Sequence, residues 1–202
     1  MAMNVRDIAM RDARTQTKKS VEWYTKMVRT PMEGMSVQKF LGDNQPHQAK
    51  TIMPGQMVHF FYSPKNKDDR TKLPFYDTFP LLLPFPISPE MTKKKPMITN
   101  STHFIGLNLH YIHPKMRMVL LSKLMTFIDD DSLPAKAKLN LSWRTISSVS
   151  MMPQAQQCVK LYLKKHVKSN FIIVPPKEWD MVVWLPSERF KNASAEEVWG
   201  KK

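Results

Sequence analysis

The order of apolar and polar positions divides the chain into a helical start, a β-rich middle and a mixed remainder. Over residues 1–30, apolar or small side chains recur every three or four positions, as in a helix with one buried face. Basic side chains occupy the opposite face, and Pro31 ends the pattern because proline breaks a helix. We therefore predict a basic N-terminal helix or arm (1–30), a polar connector (31–50) and a single α+β domain (51–202).

Short β segments are predicted across about residues 51–111, and their shortness favours a small curved, barrel-like sheet flanked by the N-terminal helix and C-terminal helices. The first segment, Gln56–Ser63, follows a turn at Met53–Gly55 and alternates two sets of apolar side chains. The second, Phe75–Phe85, is rich in proline, which predicts an edge or bent strand because proline cannot donate to the ladder. The third is Phe104–Tyr111, where glycine at position 106 permits a bulge or a close approach of a neighbouring chain.

The remainder of the chain is predicted to be mainly helical. A helix over Lys115–Ile128 follows a proline at its first position, and a second helix is predicted over Gln154–Ser169. Phe171–Val174 is predicted as a short strand, and Glu178–Leu185 as a strand or a helical turn. A capping pattern starting at Ser194 predicts the start of a final helix.

Charge narrows the class of partner. The chain has 202 residues with 31 Lys and Arg against 17 Asp and Glu, a formal net charge of +14, and 42% hydrophobic residues supply a core. A phosphate polymer is the commonest reason for such an excess. Two alternatives remain open, a basic protein from a basic proteome and a subunit that docks on an acidic neighbour.

We expect no membrane partner, since the apolar runs are too short to span a bilayer, and no signal peptide is apparent. The single cysteine, Cys158, cannot form an internal disulfide, which fits a reducing cytosol.

One long segment contains no acidic residue. Between Ser132 and Lys177 there is neither Asp nor Glu, and on the predicted helix Lys160, Lys164 and Lys168 form one basic stripe. Like charges at this spacing repel unless an anion binds them, so the stripe indicates phosphate contacts without sequence readout, although a solvated lysine face is the plain alternative. The candidate DNA-binding residues are Lys160, Lys164, Lys165, Lys168, Lys136, Lys138 and Arg144, together with Arg11, Arg14, Lys18 and Lys19 of the N-terminal helix.

Two other features have a functional and a structural interpretation. The N-terminal helix is either a basic arm that follows DNA or a helix that docks on another subunit. Several aromatic side chains lie close to lysines in the sequence and could stack on bases, although packing in the core is the simpler interpretation. These aromatic residues are Phe60, Phe61, Tyr62, Phe75, Tyr76 and Phe79, and the basic residues near them are Lys65, Lys67, Arg70 and Lys72.

The sequence offers little for catalysis, and we predict no enzyme, no metal and no cofactor. His110 and His113, with His59 or His103, do not form a dense set of metal ligands. Neither a nucleophile elbow nor a glycine-rich phosphate loop is present. The carboxylates open to a nuclease are Asp68, Asp69 and Asp77, and for Asp77 a turn or capping role is the simpler explanation.

Several stretches resemble small virion-associated proteins of T-even-like tailed bacteriophages, of the DNA end protector or head-completion type. They include Pro54–Met57, Phe60–Lys65, Leu73–Leu81, Phe104–Tyr111, Pro114–Arg117 and Leu185–Phe190, and the likeness covers most of residues 20–200.

The resemblance implies sequence-independent binding of the packaged genome end, protection from host exonuclease, and head completion. It also implies a place in the virion, with the host cytoplasm during assembly, other virion proteins as partners and an oligomeric assembly. No binding residue transfers from the family. The alternatives are a neck or baseplate assembly protein whose basic surface docks on acidic subunits, and a DNA-processing nuclease.

Overall fold

An antiparallel sheet of short strands forms the centre of the fold, with helices packed against it. A computed structural model describes residues 17–25, 47–49, 52–53, 55–85, 102–128, 130, 132–134, 137, 141, 144–146, 148, 153–183, 185, 190–194 and 197–198. The α+β class predicted from the sequence is confirmed.

Six strands pair in the order β1-β7-β2-β4-β5-β6, and β3 pairs with β8 in a separate two-stranded sheet. All of these pairs are antiparallel. The strands are β1 (His47–Ala49), β2 (Met57–His59), β3 (Tyr76–Asp77), β4 (Leu81–Phe85), β5 (His103–Asn108), β6 (Val159–Leu163), β7 (Phe171–Val174) and β8 (Phe190–Lys191).

The helices described over four or more consecutive residues are α1 (residues 17–25), α2 (Pro114–Ile128), α3 (Pro153–Gln156) and α4 (Trp179–Val183). Short 3₁₀ turns lie at Leu109–Tyr111, Lys164–His166 and Pro176–Glu178. The prediction of a helix over Lys115–Ile128 is confirmed, and α4 resolves the ambiguous segment near the C-terminus as helical.

Over the residues described, the six-stranded sheet does not close into a barrel. Beyond β2, Tyr62 forms an isolated antiparallel bridge with Val167, which follows β6 in the chain. This bridge joins two distant positions in the strand order at one end of the sheet, while β1 and β6 remain the edges of the ladder. The α+β class is thus found without the barrel-like closure that the sequence predicts.

Alternation along β2 divides the core into two clusters, as the sequence pattern predicts. Met57 belongs to the larger cluster, which packs between the sheet and the helices and includes Leu121 and Trp179. Val58 and Phe60 belong to a second cluster that is mostly aromatic. Because successive strand residues face opposite sides, one short strand contributes to both clusters.

Arg117 of α2 is a charged side chain that is fully buried. Its guanidinium donates to the carbonyl oxygens of Val182 at 3.1 Å, Leu185 at 2.6 Å and Ile112 at 3.2 Å. Burial lowers the pKa of Arg117 to about 10. The side chain thereby fixes α2 against the chain around α4, since a buried cation requires such partners.

Pro84 and Gly106 lie opposite each other in β4 and β5. Of the two alternatives predicted for the proline-rich strand, an edge strand or a bent strand, the edge strand is wrong, because β4 lies between β2 and β5. However, the only residues of β4 that pair with β2 are Leu81 and Leu82. Pro84 lies beyond the end of this pairing and is therefore locally at an edge. The predicted close approach at Gly106 is confirmed, since a Cβ there would lie 2.6 Å from Cγ of Leu82.

Two segments differ from the sequence prediction. Residues 47–49, predicted as the end of a polar connector, form β1 and pair with β7. The predicted helix over Gln154–Ser169 is wrong, because the helix ends at Gln156 and the chain then continues as strand β6. Pairing of β6 with β5, far away in sequence, outweighs the local helical spacing of the lysines.

Candidate nucleic-acid interface

The segment 164–168, which we call the lysine turn, concentrates positive charge at one end of the sheet. Lys164, Lys165 and Lys168 are all exposed. Lys164–His166 is a 3₁₀ turn directly after β6, and Val167 then pairs with Tyr62. The predicted helical stripe of lysines is therefore wrong, but two of its members, Lys164 and Lys168, share one short surface segment with Lys165.

Backbone hydrogen bonds fix the lysine turn to two neighbouring chain segments. The amide of Lys164 donates to the carbonyl oxygen of Thr102 at 2.9 Å, and the amide of Ser63 donates to that of His166 at 3.0 Å. The amide of Lys168 donates to the carbonyl oxygen of Phe61 at 2.8 Å. The three lysines therefore extend from an ordered backbone, which lowers the entropy lost when an anion is bound.

Lys160 lies apart from the lysine turn. It belongs to β6, is half-buried, and its ammonium lies 4.1 Å from the centroid of the Tyr111 ring. Burial lowers its pKa. This cation–π contact gives Lys160 a structural partner, so it is the weakest of the predicted phosphate ligands in this segment.

The other predicted DNA-binding residues are not brought together by the described contacts. Lys18 and Lys19 are exposed on α1, and Arg144 is exposed on a separate helical segment. Lys136, Lys138, Arg11 and Arg14 lie outside the described residues. All of these remain predictions.

The structure places the aromatic residues near the lysines in three different surroundings. Phe60 and Tyr62 are buried in the second core cluster, as the simpler interpretation predicts. Phe61 and Phe79 are half-buried and stack on each other, with ring centroids 5.1 Å apart and planes 23° apart. Phe75 instead contacts Tyr111 and Phe190 beside the smaller sheet.

A buried polar network is centred on Asp77. Its carboxylate accepts from the side-chain amide of Asn108 at 3.0 Å and the backbone amide of Phe79 at 2.9 Å, and pairs with Nδ1 of His110 at 2.7 Å. Burial alone would raise the pKa of Asp77, but the charge and hydrogen bonds of His110 and Asn108 outweigh it and hold the pKa below its ordinary value. Asp77 caps the turn at Phe79, as the sequence predicts. Its buried contacts with Asn108 and His110 were not predicted.

Helix α1 covers this network through Trp23 and Tyr24. The Tyr24 hydroxyl donates to the carbonyl oxygen of Phe79 at 3.0 Å, and its ring meets the rings of His59 and His110 edge-on. The Trp23 indole donates to Glu178 at 2.8 Å. The N-terminal helix is thus docked on the domain over residues 17–25, while its lysines remain exposed.

His59 is fully buried within the same region. Its Nδ1 lies 3.2 Å from the carbonyl oxygen of Pro80, and among the described residues its Nε2 has no hydrogen-bond partner. Burial, reinforced by nearby His110, lowers the pKa of His59 to about 4. The neutral imidazole is therefore the form that the folded protein holds.

We expect His59 to make the fold sensitive to acid between about pH 6.5 and pH 4. The unfolded chain takes up a proton at His59 below about pH 6.5, whereas the folded chain does so only near pH 4, so stability falls by about 3 kcal/mol by pH 4. Asp77 keeps its charge over this interval because its pKa is lowered. The His59→Asn variant retains a donor for Pro80 but no titrating ring, and urea unfolding at pH 7 and pH 4 should show a smaller loss. An equal loss in both proteins would contradict the assignment.

The structure supports no metal site in the part of the chain that it describes. No group of three His, Cys, Asp or Glu side chains there could hold a metal ion. Nδ1 of His113 instead accepts from the backbone amide of Lys115 at 3.3 Å, and Nδ1 of His103 lies 3.1 Å from the hydroxyl of Thr102. Of the helices described, none is long and apolar enough to cross a membrane.

Comparison with known proteins identifies the family. The model of the family described as phage T4 terminal DNA protecting protein matches residues 2–202. No curated protein and no solved structure gives a significant match. The family match confirms the resemblance to a phage DNA end protector that the sequence motifs indicate. Since the match spans nearly the whole chain, the protein belongs to the family of phage T4 terminal DNA protecting proteins.

Proposed function

We propose that this protein binds the end of the packaged genome in the virion, without sequence readout, and shields it from host exonuclease. The observation that carries the proposal is the lysine turn, where Lys164, Lys165 and Lys168 are exposed together within a segment of the sequence that lacks acids from Ser132 to Lys177. Phosphates binding there would release counterions and remove the repulsion between the lysines.

The geometry fits contact with the DNA backbone rather than with base edges. The lysine turn carries point charges on flexible side chains, and such side chains contact phosphates without carrying sequence information. A protein that protects genome ends has to accept whatever sequence lies at the end. Arg144, Lys18 and Lys19 are also exposed, and we propose them as further phosphate contacts outside the lysine turn.

Exonuclease protection of a linear duplex tests the proposal. With the protein in excess at low salt, digestion by a processive exonuclease should slow strongly, and protection should disappear as salt rises because phosphate contacts are screened. A circular duplex of the same length competes for the protein and reports binding that does not depend on ends. Unchanged digestion by folded protein at low salt would overturn the proposal.

We also propose that the protein acts without catalysis. Asp77, the candidate nuclease carboxylate nearest to a histidine, is 6% exposed and binds three protein donors, so it is poorly placed to meet DNA or a metal ion. Asp69 accepts from the amide and hydroxyl of Thr71 and pairs with Lys72 at 2.9 Å. Metal-dependent cleavage of DNA that is lost in Asp77→Ala but retained in Asp68→Ala would contradict this.

A second candidate function, docking on an acidic virion protein during head completion, is favoured by the outer face of α2. Val119 is 66% and Met116 is 44% exposed there, beside the exposed Lys115 and Lys123. The helix contains no acidic residue, so a partner surface with apolar and acidic side chains would complement it. Val119→Glu should abolish incorporation into virions while leaving DNA binding unchanged. Normal incorporation of this variant would exclude the α2 face as the docking site.

A further inference from the structure

Phe61 and Phe79 form a pair of stacked rings, the aromatic pair, that is only half-buried. Phe79 also stacks on the fully buried ring of His59, with centroids 5.9 Å apart and planes 29° apart. The rings of His59, Phe79 and Phe61 therefore form a file that begins in the core and reaches the surface at Phe61. Among the described residues, no ring other than Phe79 stacks on Phe61.

The aromatic pair lies directly beside the lysine turn. Because Tyr62 and Val167 are bridge partners, the adjoining residues Phe61 and Lys168 also lie opposite each other. Side chains opposite each other on paired strands point to the same side, and Tyr62 and Val167 pack on the other side in the second core cluster. The Phe61 ring and the Lys168 ammonium therefore belong to one surface.

The backbone of Phe61 is fixed on both sides by the same segment. Its amide donates to the hydroxyl of Ser169 at 2.9 Å, and its carbonyl oxygen accepts from the amide of Lys168 at 2.8 Å. Phe79 is fixed by the bond from its amide to Asp77. An aromatic surface that is held in this way loses little conformational entropy when a flat group stacks on it.

We propose that the aromatic pair is a stacking platform for the terminal base pair of a DNA duplex, while Lys164, Lys165 and Lys168 hold the phosphates of the last nucleotides. Within a duplex both faces of each base pair are already stacked, whereas the outer face of the terminal pair is free. Phosphate contacts alone bind anywhere along the duplex, so the platform supplies a preference for ends. This inference rests on the proposed function, since it needs the lysine turn to bind DNA.

Stacking of a base on an aromatic side chain sets the size of the expected effect. Such stacking contributes a factor of about 5 to 150 in affinity per base. The wild type should therefore bind a short duplex with open ends more tightly, by about that factor, than the same duplex closed at both ends by hairpin loops. Fluorescence anisotropy with both labelled duplexes at one fixed salt concentration measures the ratio.

Variants of Phe61 distinguish the effect of an aromatic ring from the effect of a large apolar side chain. Phe61→Leu should bind both duplexes with the affinity that the wild type shows for the closed one, and Phe61→Trp should keep the preference for open ends. Leu161→Ala is the matched control, since Leu161 is an apolar side chain that is 59% exposed on β6. This control should bind like the wild type. Circular dichroism and thermal unfolding check that each variant is folded.

The outcomes distinguish failure of the platform from failure of the proposed function. Equal affinity of the wild type for open and closed duplexes, or an end preference that survives in Phe61→Leu, would overturn the platform and leave phosphate binding intact. Absence of binding to either duplex would overturn the proposed function itself. If Phe61→Leu does not fold, the emission of Phe61→Trp relative to that of the wild type, which has five tryptophans, decides. Stacking should quench the added indole with open duplexes and not with closed ones.

Discussion

Replacing Lys164, Lys165 and Lys168 together by alanine is expected to reduce the salt dependence of DNA binding more than any other change of three charges. Each phosphate contact contributes about 0.9 to the slope of log affinity against log salt, so the variant should lose about 2.7. Between about 50 and 200 mM salt, the affinity of the wild type should then fall about 40-fold further than that of the variant. Anisotropy titrations of one duplex over a salt series measure both slopes.

A control with the same change in net charge separates the lysine turn from the overall charge. Lys115, Lys123 and Lys191 are exposed on α2 and β8, outside the lysine turn. Replacing these three by alanine should change the slope little, because the effect depends on contact with phosphates and not on the total of +14. Equal slopes for the two triple variants would contradict the assignment of the lysine turn.

Phosphate binding by the lysine turn also has a structural consequence that isolated surface lysines lack. The turn follows β6 and bonds to the chain beyond β2, while β6 is itself paired with β5. Strands that come from distant parts of the sequence therefore support a single short surface. Tension on a bound DNA end would be carried by the sheet rather than by a mobile loop.

The β region was predictable because its alternation agrees with its burial. Val58 and Phe60 lie on one side of the sheet and Met57 on the other, as a period of two requires. Strand β6 could not be predicted in the same way. In β6, the apolar side chain of Leu161 is 59% exposed, whereas Tyr162 is 4% exposed and Lys160 is half-buried on the inner side. The apolar side chain of Leu161 is thus more exposed than the charged side chain of Lys160, so alternation alone does not predict this strand. Pairing with β5 makes the segment a strand.

The candidate interface was predictable in composition but not in geometry. The acid-free window contains Lys164, Lys165 and Lys168, but the spacing of Lys160, Lys164 and Lys168 predicts one face of a helix instead of a strand and a turn. The proposed role of Phe61 depends on the pairing of distant segments at Tyr62 and Val167, which no local pattern indicates. Alternation does indicate that Phe61 faces away from the second core cluster, because its neighbours Phe60 and Tyr62 are buried in that cluster.

The network around Asp77 was missed for a related reason. Its members come from β3, from the end of β5 and from the 3₁₀ turn that follows β5. The Asn108 amide donates to both Asp77 and Tyr162, and its carbonyl oxygen accepts from the backbone amide of His110. A sequence shows one aspartate, one asparagine and one histidine at unrelated spacings, and only the pairing of β4 with β5 beside the turn brings them together.

Removal of the Asp77 carboxylate is expected to have the largest effect on stability. Asp77→Ala would leave the amide of Asn108 and Nδ1 of His110 buried without this acceptor, and removing one partner of a buried pair costs about 3–5 kcal/mol. The native pKa of Asp77 is lowered, so its contribution is fully present above about pH 4, the ordinary pKa of an aspartate, and is lost as the pH falls further. Urea unfolding at pH 7 therefore measures the full effect.

The matched control for this loss is Asp68→Ala, which removes an exposed aspartate and should leave the urea midpoint unchanged.

Asp77→Asn should give an intermediate result, because one amide oxygen can still accept from His110 or Asn108. The NH₂ group of the new side chain would face the amide of Phe79, which is also a donor. Tyr24 closes the network from α1, so partial loss of the α1 contact should accompany the destabilisation and appear as faster amide exchange in residues 17–25. If Asp77→Ala unfolds at the same urea concentration as Asp68→Ala, the buried hydrogen bonds of the Asp77 carboxylate do not stabilise the fold as we expect.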